Sequence, residues 1–380
     1  MNWLLQHTKG DKWIWLIIFA LTLFSMLAVY SSTGTLAYRF QEGNTSYYIF
    51  KHMSMIIAGL GLMYVAHLVN YRYYSRAAQL LLFISIPLLI FTLFFGSEIN
   101  QASRWVKLPG TSLTFQTSDI AKLALVMFLA RELSKRQEKI KNFKEAFLPI
   151  IPSVLVICGL IAPANLSTAL LVFGTSVLLL LIGRISAKQI AIVCLAGSVL
   201  VSTVVFFGPR RETYKSRVTA FLHPEKADPD KKFQTDQAKI AIATGGIFGK
   251  GPGNSTQRNF LPSPFADFIF AIIIEEYGLF GAGFLIMLYL VLLYRCIRIV
   301  TLSPKAFGAL LAAGLSFSLV IQAFANMAVA VNLFPVTGVA LPLVSMGGTS
   351  ILFNSIAFGI ILSVSRDIEE LKKGGELAPV

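Results

Sequence analysis

The sequence predicts an all-α polytopic membrane protein, with about ten transmembrane helices and one large extracytoplasmic loop. Three observations carry this reading. Of 380 residues, 55% are hydrophobic and only 14% charged, whereas soluble domains carry about 25% charged residues. Apolar runs long enough to cross a bilayer recur from end to end. Lys and Arg segregate into alternate connections, which is the pattern that orients a multi-span protein. The chain reads as a single membrane domain over 1–380.

The first run, WIWLIIFALTLFSMLAVYSS, gives a span near 13–33. It is long enough to cross and no A-x-A site follows, so it reads as a retained helix, not a cleaved signal. Further spans lie near 51–69, 78–96, 119–133, 147–163, 167–183, 188–208, 267–293, 306–331 and 347–365. The fourth has a short apolar core, IAKLALVMFLA. Only APAN separates the fifth from the sixth, which predicts a tight hairpin.

NYRYYSR, RELSKRQEKIKNFKE, GRISAK, YRCIRIVTLSPK and the tail with Arg366, Lys372 and Lys373 fall on one side, read as cytoplasmic. Both termini are then expected inside. The other side holds 34–50, 97–118, 209–266 and 332–346.

Formal net charge is +14. Loop bias accounts for part of it, and the remainder calls for an anionic partner, lipid head groups or a phosphate-bearing substrate. Cys158, Cys194 and Cys296 form no C-x-x-C pair, so no disulfide or zinc framework is implied. His7, His52, His67 and His223 make no H-E-x-x-H, which removes a metalloprotease. No metal site is readable.

The 209–266 loop breaks the charge rule. It is basic although expected outside, and long loops escape that rule. Its functional reading is a platform for an anionic substrate, with Lys239, Lys250 and Arg258 as candidate phosphate partners. Its stretch ATGGIFGKGPGNSTQ is Gly-rich, and glycines let backbone N–H groups approach phosphate oxygens. It lacks the G-K-[ST] of a nucleotide P-loop. DPD at 228–230 reads as a turn built by Pro229.

PFADFIFAIIIEEYGLFGAG places Asp267 at the outer end of the eighth span and Glu275 and Glu276 inside it. An acid at a helix N-terminus is also what the macrodipole favours. On a continuous helix Glu275 would lie roughly 80° round and roughly 12 Å deeper than Asp267. Intramembrane acids pair within the bundle or line a wet cavity, and the glutamates read as structural partners. Asp119 and Lys122 are spaced i, i+3 and share a face of the fourth span. They form an internal ion pair or a phosphate-binding lysine with an orienting carboxylate. Arg104 and Lys107 sit just before them, and Trp105 reads as an interfacial aromatic. In NMAVAVNLFPVTGVALPLVSMGGTS, Pro335, Gly338, Pro342, Gly347 and Gly348 break helix while Asn326, Asn332, Thr337, Ser345, Thr349 and Ser350 can satisfy freed backbone groups or donate to a sugar. Broken backbone at membrane depth must be buried in protein or beside water, so this segment reads as a re-entrant cavity wall.

RWVKLPG…FQTSDIAKL, QAKIAIATGGIFGKGPGNSTQ, LPSPFADFIFAIIIEEYGLFG and NLFPVTGVALPLVSMGGTS together resemble the SEDS family (shape, elongation, division and sporulation), which includes RodA and FtsW. The resemblance covers nearly the whole chain. RVTAF and GPGNSTQ look more like the FtsW branch. It implies a peptidoglycan glycosyltransferase that polymerises lipid II outside the bacterial cytoplasmic membrane. Implied partners are a class B penicillin-binding transpeptidase and other division-complex membrane proteins, not nucleic acid. The family's essential aspartate aligns with Asp267, and its acid–lysine pair with Asp119 and Lys122. Phe265 and Ala266 replace a histidine and a threonine, Thr117 a proline, Asn165 an aspartate and Met346 a tyrosine.

On that resemblance Asp267 is the expected base. Lys122, Arg104 and loop cations are expected at the departing pyrophosphate. No cofactor is required, although a divalent cation such as magnesium could assist. The rival readings are a lipid II flippase, a RodA-type elongation polymerase, and a noncatalytic scaffold. The chain has no S-x-x-K and no K-T-G, so it is not the transpeptidase itself.

Overall fold

The computed structural model describes residues 9–34, 44–99, 102–107, 114–226, 228–261 and 264–374. The ten expected helices are present: α1 Lys12–Ser32, α2 Thr45–Leu68, α3 Tyr71–Phe95, α4 Thr117–Lys135, α5 Leu148–Ile161, α6 Leu166–Ile182, α7 Ala187–Phe207, α10 Ile269–Leu302, α11 Ala306–Ala330 and α12 Ser350–Lys373. Eight are long and apolar enough to cross a membrane, the span at α5 being counted from Phe143. α6 is shorter, and α4 carries too many polar residues. The turns between them follow local chemistry: Asp11, Asn44, Asn70, Asn165 and Ser186 each accept backbone N–H bonds at a helix start.

Two connections expected outside hold structure that the sequence reading left as loop. Residues 97–116 include a small antiparallel sheet, β1 Ser97–Ile99, β2 Ala102–Lys107 and β3 Thr114–Gln116. Trp105 pairs with Gln116, and β3 runs directly into α4. The basic segment contains two helices, α8 Arg211–Leu222 and α9 Pro229–Gly245. Pro229 therefore opens a helix instead of building a turn, as a residue whose missing N–H costs nothing in the first helical turn.

α11 and α12 form the centre, with 72% and 78% of their apolar windows buried, against 11% for α7 at the rim. α11 packs on α4, α10 and α6, while α12 lies along α2. At the opposite end from the basic segment, the residues before α1 meet the ends of α10 and α12. Gly10 N donates to Glu369 at 2.6 Å, and Arg295 donates to Asp11 at 2.5 Å.

The eighth expected span is not one straight helix. It starts at Ile269, so Asp267 precedes it in a turn. It then breaks at Gly278, whose φ of 65° and ψ of −164° are open only to glycine. The Gly-rich stretch fills the break. Lys250 N and Gly251 N donate to the carbonyls of Glu275 and Glu276 at 2.9 Å each, and Leu279 N donates to Gly246 O at 3.0 Å. A Cβ on Gly278 would lie 2.2 Å from Ile247 O, and one on Gly249 2.2 Å from Glu276 O. These glycines permit main chain to meet main chain.

Candidate active site

A cavity of ≈ 220 Å³ opens between α4, α6, α11 and the two broken segments around Asp267 and 338–350. Trp105, Gln116, Asp119, Lys122, Asp267, Gln322, Gly338, Gly347 and Gly348 line it. Asp119 and Lys122 of α4 thus share one cavity with Asp267, far along the chain. β2, β3 and the first turns of α4 bring Trp105 and Gln116 to the same wall, so Trp105 faces the cavity, not a lipid interface.

The turn before α10 is pinned by its main chain. Met346 N donates to Phe265 O at 2.9 Å, and Ser345 Oγ donates to Ala266 O at 2.7 Å. Asn326 Nδ2 donates to Asp267 O at 3.1 Å and to Val339 O at 2.8 Å. Backbone carbonyls do this holding, so the side chains at 265 and 266 are not needed for it. Phe268, not Asp267, stands at the start of α10 and no side chain caps that helix. The capping alternative for Asp267 has no support in this geometry.

The Asp267 carboxylate makes no hydrogen bond or ion pair with a described residue, and its surroundings are cationic. Burial pushes its pKa up, outweighing the lowering by the Arg217 and Arg104 guanidiniums. A Cβ placed on Gly338 would lie 3.8 Å from Asp267 Oδ2 and 4.0 Å from Arg104 Nη1, so this residue sits beside both groups. Arg104 Nε donates to Ala164 O at 3.1 Å and Arg210 Nη1 to the same oxygen at 2.9 Å. That oxygen lies in the short α5–α6 turn, which clusters the arginines. Burial, then repulsion from Arg210 and Arg217, brings the Arg104 pKa down to about 10. A carboxylate facing guanidiniums, as Asp267 does, is a setting suited to an anion. No group of three His, Cys, Asp or Glu side chains gathers among the described residues.

Lys122 donates to Gln322 Oε1 at 2.8 Å, and its distance to Asp119 is 3.9 Å. Gln322 Nε2 in turn donates to Ala340 O at 2.9 Å, which ties the lysine to the broken segment.

Other candidates lie elsewhere. Lys250 Nζ is 2.6 Å from Glu275 Oε1, and Ser255 Oγ donates to Glu275 Oε2 at 2.5 Å. Glu276 accepts from Ser31 of α1 and from Ser255 N, and Arg258 donates to Ser31 O at 2.8 Å. Lys239 is half-exposed on α9, 3.9 Å from Asp236. None of Lys239, Lys250 and Arg258 lines the cavity. The expectation that the Gly-rich stretch cradles phosphate is corrected by the same geometry: the N–H groups of Lys250 and Gly251 are already bonded to α10. The cations that do face Asp267 are Arg217 and Arg104, with Arg210 beside them, and the sequence reading placed Arg210 and Arg217 in the basic segment without singling them out. Asn326 satisfies freed backbone carbonyls as the sequence reading allowed, whereas Gln322 was missed as a partner. The signal available was a polar amide on α11, one helical turn apart at 322 and 326, in an otherwise apolar span. Ser345 supports the Asp267 turn, and Pro335 faces a neighbouring cavity.

A family model described as "Cell cycle protein", FTSW_RODA_SPOVE, matches residues 11–370. The chain is 32% identical over 364 residues to the probable peptidoglycan glycosyltransferase FtsW of Trichlorobacter lovleyi, covering 94% of each chain. It is 32% identical over 370 residues to the stage V sporulation protein E of Bacillus subtilis, covering 95% of this chain and 98% of that one. Among solved structures, a chain from "Structural coordination of polymerization and crosslinking by a peptidoglycan synthase complex" superposes with a TM-score of 0.75 at 25% identity, over 94% of this chain and 98% of the other. The rod shape determining protein RodA of Thermus thermophilus shares the fold, with a TM-score of 0.69 at 23% identity over 94% and 97%.

Proposed function

The chain belongs to the FtsW/RodA/SpoVE family of cell cycle proteins, the SEDS family, and from that premise we propose that it is an FtsW-type peptidoglycan glycosyltransferase using Asp267 as its base. The acceptor is lipid II. Its GlcNAc 4-hydroxyl gives its proton to the Asp267 carboxylate as O4 bonds to C1 of the MurNAc on the growing chain. The C1–O bond to phosphate breaks and the electron pair leaves on undecaprenyl pyrophosphate. A single displacement inverts the α-linked phosphate to a β-1,4 bond.

The observation that carries this reading is the Asp267 carboxylate itself. It is held by main-chain bonds, has no side-chain partner among the described residues, and faces Arg217 and Arg104. A base must be available to its proton, and developing phosphate charge is best met by pre-placed cations. Arg104, Arg210 and Arg217 supply them, with Lys122 deeper in the cavity. Septal wall synthesis beside a crosslinking class B penicillin-binding protein follows from the same family reading. So does a cytoplasmic-membrane location with both termini inside, supported by the meeting of residues 10 and 11 with 369 and 295 at the end opposite Asp267.

The test is strand formation from fluorescent lipid II by the purified protein in detergent, with and without its transpeptidase partner. Polymer that is lost in Asp267→Asn supports the assignment. Movement of lipid II across vesicles with no polymer from the wild type would establish the flippase instead.

A further inference from the structure

A polymerase must hold two saccharides at once, one bearing the attacking hydroxyl and one bearing the leaving pyrophosphate. Asp267 lines one cavity, of ≈ 220 Å³. A second cavity of ≈ 200 Å³ adjoins the arginine cluster. Arg217 and Phe221, spaced i, i+4, come from one face of α8. Gln234 comes from α9, and Asn332, Pro335 and Val336 from the segment after α11.

The lining of this cavity is selective. Its described lining residues include no carboxylate, which disfavours a cation. Phe221, Pro335 and Val336 offer flat apolar surface of the kind that packs on the C–H face of a pyranose. The carboxamides of Gln234 and Asn332 both donate and accept, as hydroxyl and N-acetyl groups require. Arg217 is the one cation among its described lining residues. Its side chain makes no hydrogen bond or ion pair with a described residue, and it also faces Asp267. Neither α8 nor α9 is apolar enough to span a membrane, so the cavity opens among polar helices on the Asp267 side, where a lengthening strand can leave.

We infer that this second cavity is the donor-strand subsite. It holds the sugars of the growing glycan so that the terminal MurNAc C1 meets the acceptor hydroxyl at Asp267, with Arg217 at the junction receiving the departing pyrophosphate. This rests on the glycosyltransferase reading and deepens it, by giving the two substrates separate places. The acceptor lies in the cavity that Asp267 lines, because the base must touch the acceptor proton. The donor lies on the side of Arg217, because the leaving charge forms there.

Phe221→Ala and Gln234→Ala test it in the full-length protein. Lipid II is supplied as acceptor and a short lipid-linked oligosaccharide as donor, each varied in turn. Loss of one packing or hydrogen-bonding group changes affinity by about 2–10-fold. The expected result is a rise of that size in the half-saturating donor concentration, shorter strands, and less than ~2-fold change for the acceptor. Gln234→Glu, which leaves the backbone and volume alone, should act in the same direction by repelling the pyrophosphate. An equal effect on both substrates, an effect on the acceptor only, or unchanged strand length in variants that melt like the wild type overturns the assignment. Failure of the underlying reading is separate and visible: the wild type itself then makes no polymer.

Discussion

Asn326 holds Asp267 by its main chain, donating through Nδ2 to the Asp267 carbonyl at 3.1 Å and to the Val339 carbonyl at 2.8 Å. One buried amide of α11 thus fixes the distance between the turn that carries the carboxylate and the broken segment that walls the cavity. The carboxylate has no hydrogen bond or ion pair with a described residue, while its backbone is held.

Asn326→Ala removes the donor from two carbonyls. A buried acceptor left unmade costs about 1–3 kcal/mol, so melting of the purified protein should fall by a corresponding amount. Misplacing a catalytic group by about 1 Å costs on the order of 10²-fold. The maximal polymerisation rate should therefore drop by about that factor while half-saturating lipid II changes little. A parallel loss in both parameters would show that Asn326 binds substrate instead of positioning the base.

Lys250 and Glu275 are expected to behave as structure. Glu275 is 0% exposed and receives Lys250, Ser255 and Thr256. Lys250→Ala strands a buried carboxylate, and breaking one side of a buried pair costs about 3 kcal/mol. Melting should fall accordingly, with the specific activity of the folded fraction near wild type. Normal stability with weakened lipid II use would reinstate Lys250 as a phosphate ligand.

This contrast marks what the sequence disclosed. The ten apolar helices were legible because bilayer length and hydropathy act on each segment alone. Asp267 and the Asp119–Lys122 pair were legible because charged residues in apolar runs are costly and few. The helical loop 209–266 was not: α8 and α9 lack a long apolar stripe, so their helicity is decided by packing. The role of the Gly-rich stretch was misread for a similar reason. Glycines that admit a phosphate and glycines that admit another backbone look alike in sequence, and only Gly278, itself φ 65° and facing Ile247 O, reveals which is meant. Among the many cations of the basic segment, Arg210 is selected by the α5–α6 turn and Arg217 by its place on α8 after it, which no local pattern announces.

Lys122 and Asp119 should couple, but weakly. Their separation of 3.9 Å is the limit of an ion pair, and Gln322 is nearer to the ammonium at 2.8 Å. A double-mutant cycle of Lys122→Ala and Asp119→Ala on polymerisation should return an interaction energy of about 0.5–1 kcal/mol, at the low end for residues in contact. The Lys122–Gln322 cycle should return at least as much. Strict additivity in both cycles would mean that Lys122 acts on the substrate without help from either neighbour.

The sharpest expectation concerns the charge of Asp267. Asp267→Asn keeps size and removes the proton acceptor, so polymerisation should fall by about 10²–10⁴ while the protein still inserts and melts cooperatively. Burial raises the carboxyl above its ordinary range, about 3.9, and more than offsets Arg217 and Arg104. The base is needed ionised, so kcat/KM should fall as pH drops through that raised value, on an acid limb that lies above the ordinary carboxylate range and is absent from the residual activity of Asp267→Asn. Stability moves the other way. Between the ordinary and the raised pKa the native state holds a proton that the unfolded chain has lost, so native stability from this group declines as pH rises through that window. Asp267→Asn should therefore melt at or above the wild-type temperature near neutral pH. Near wild-type polymerisation by a well-folded Asp267→Asn would end the assignment of Asp267 as base and leave Asp119 as the remaining carboxylate in the cavity.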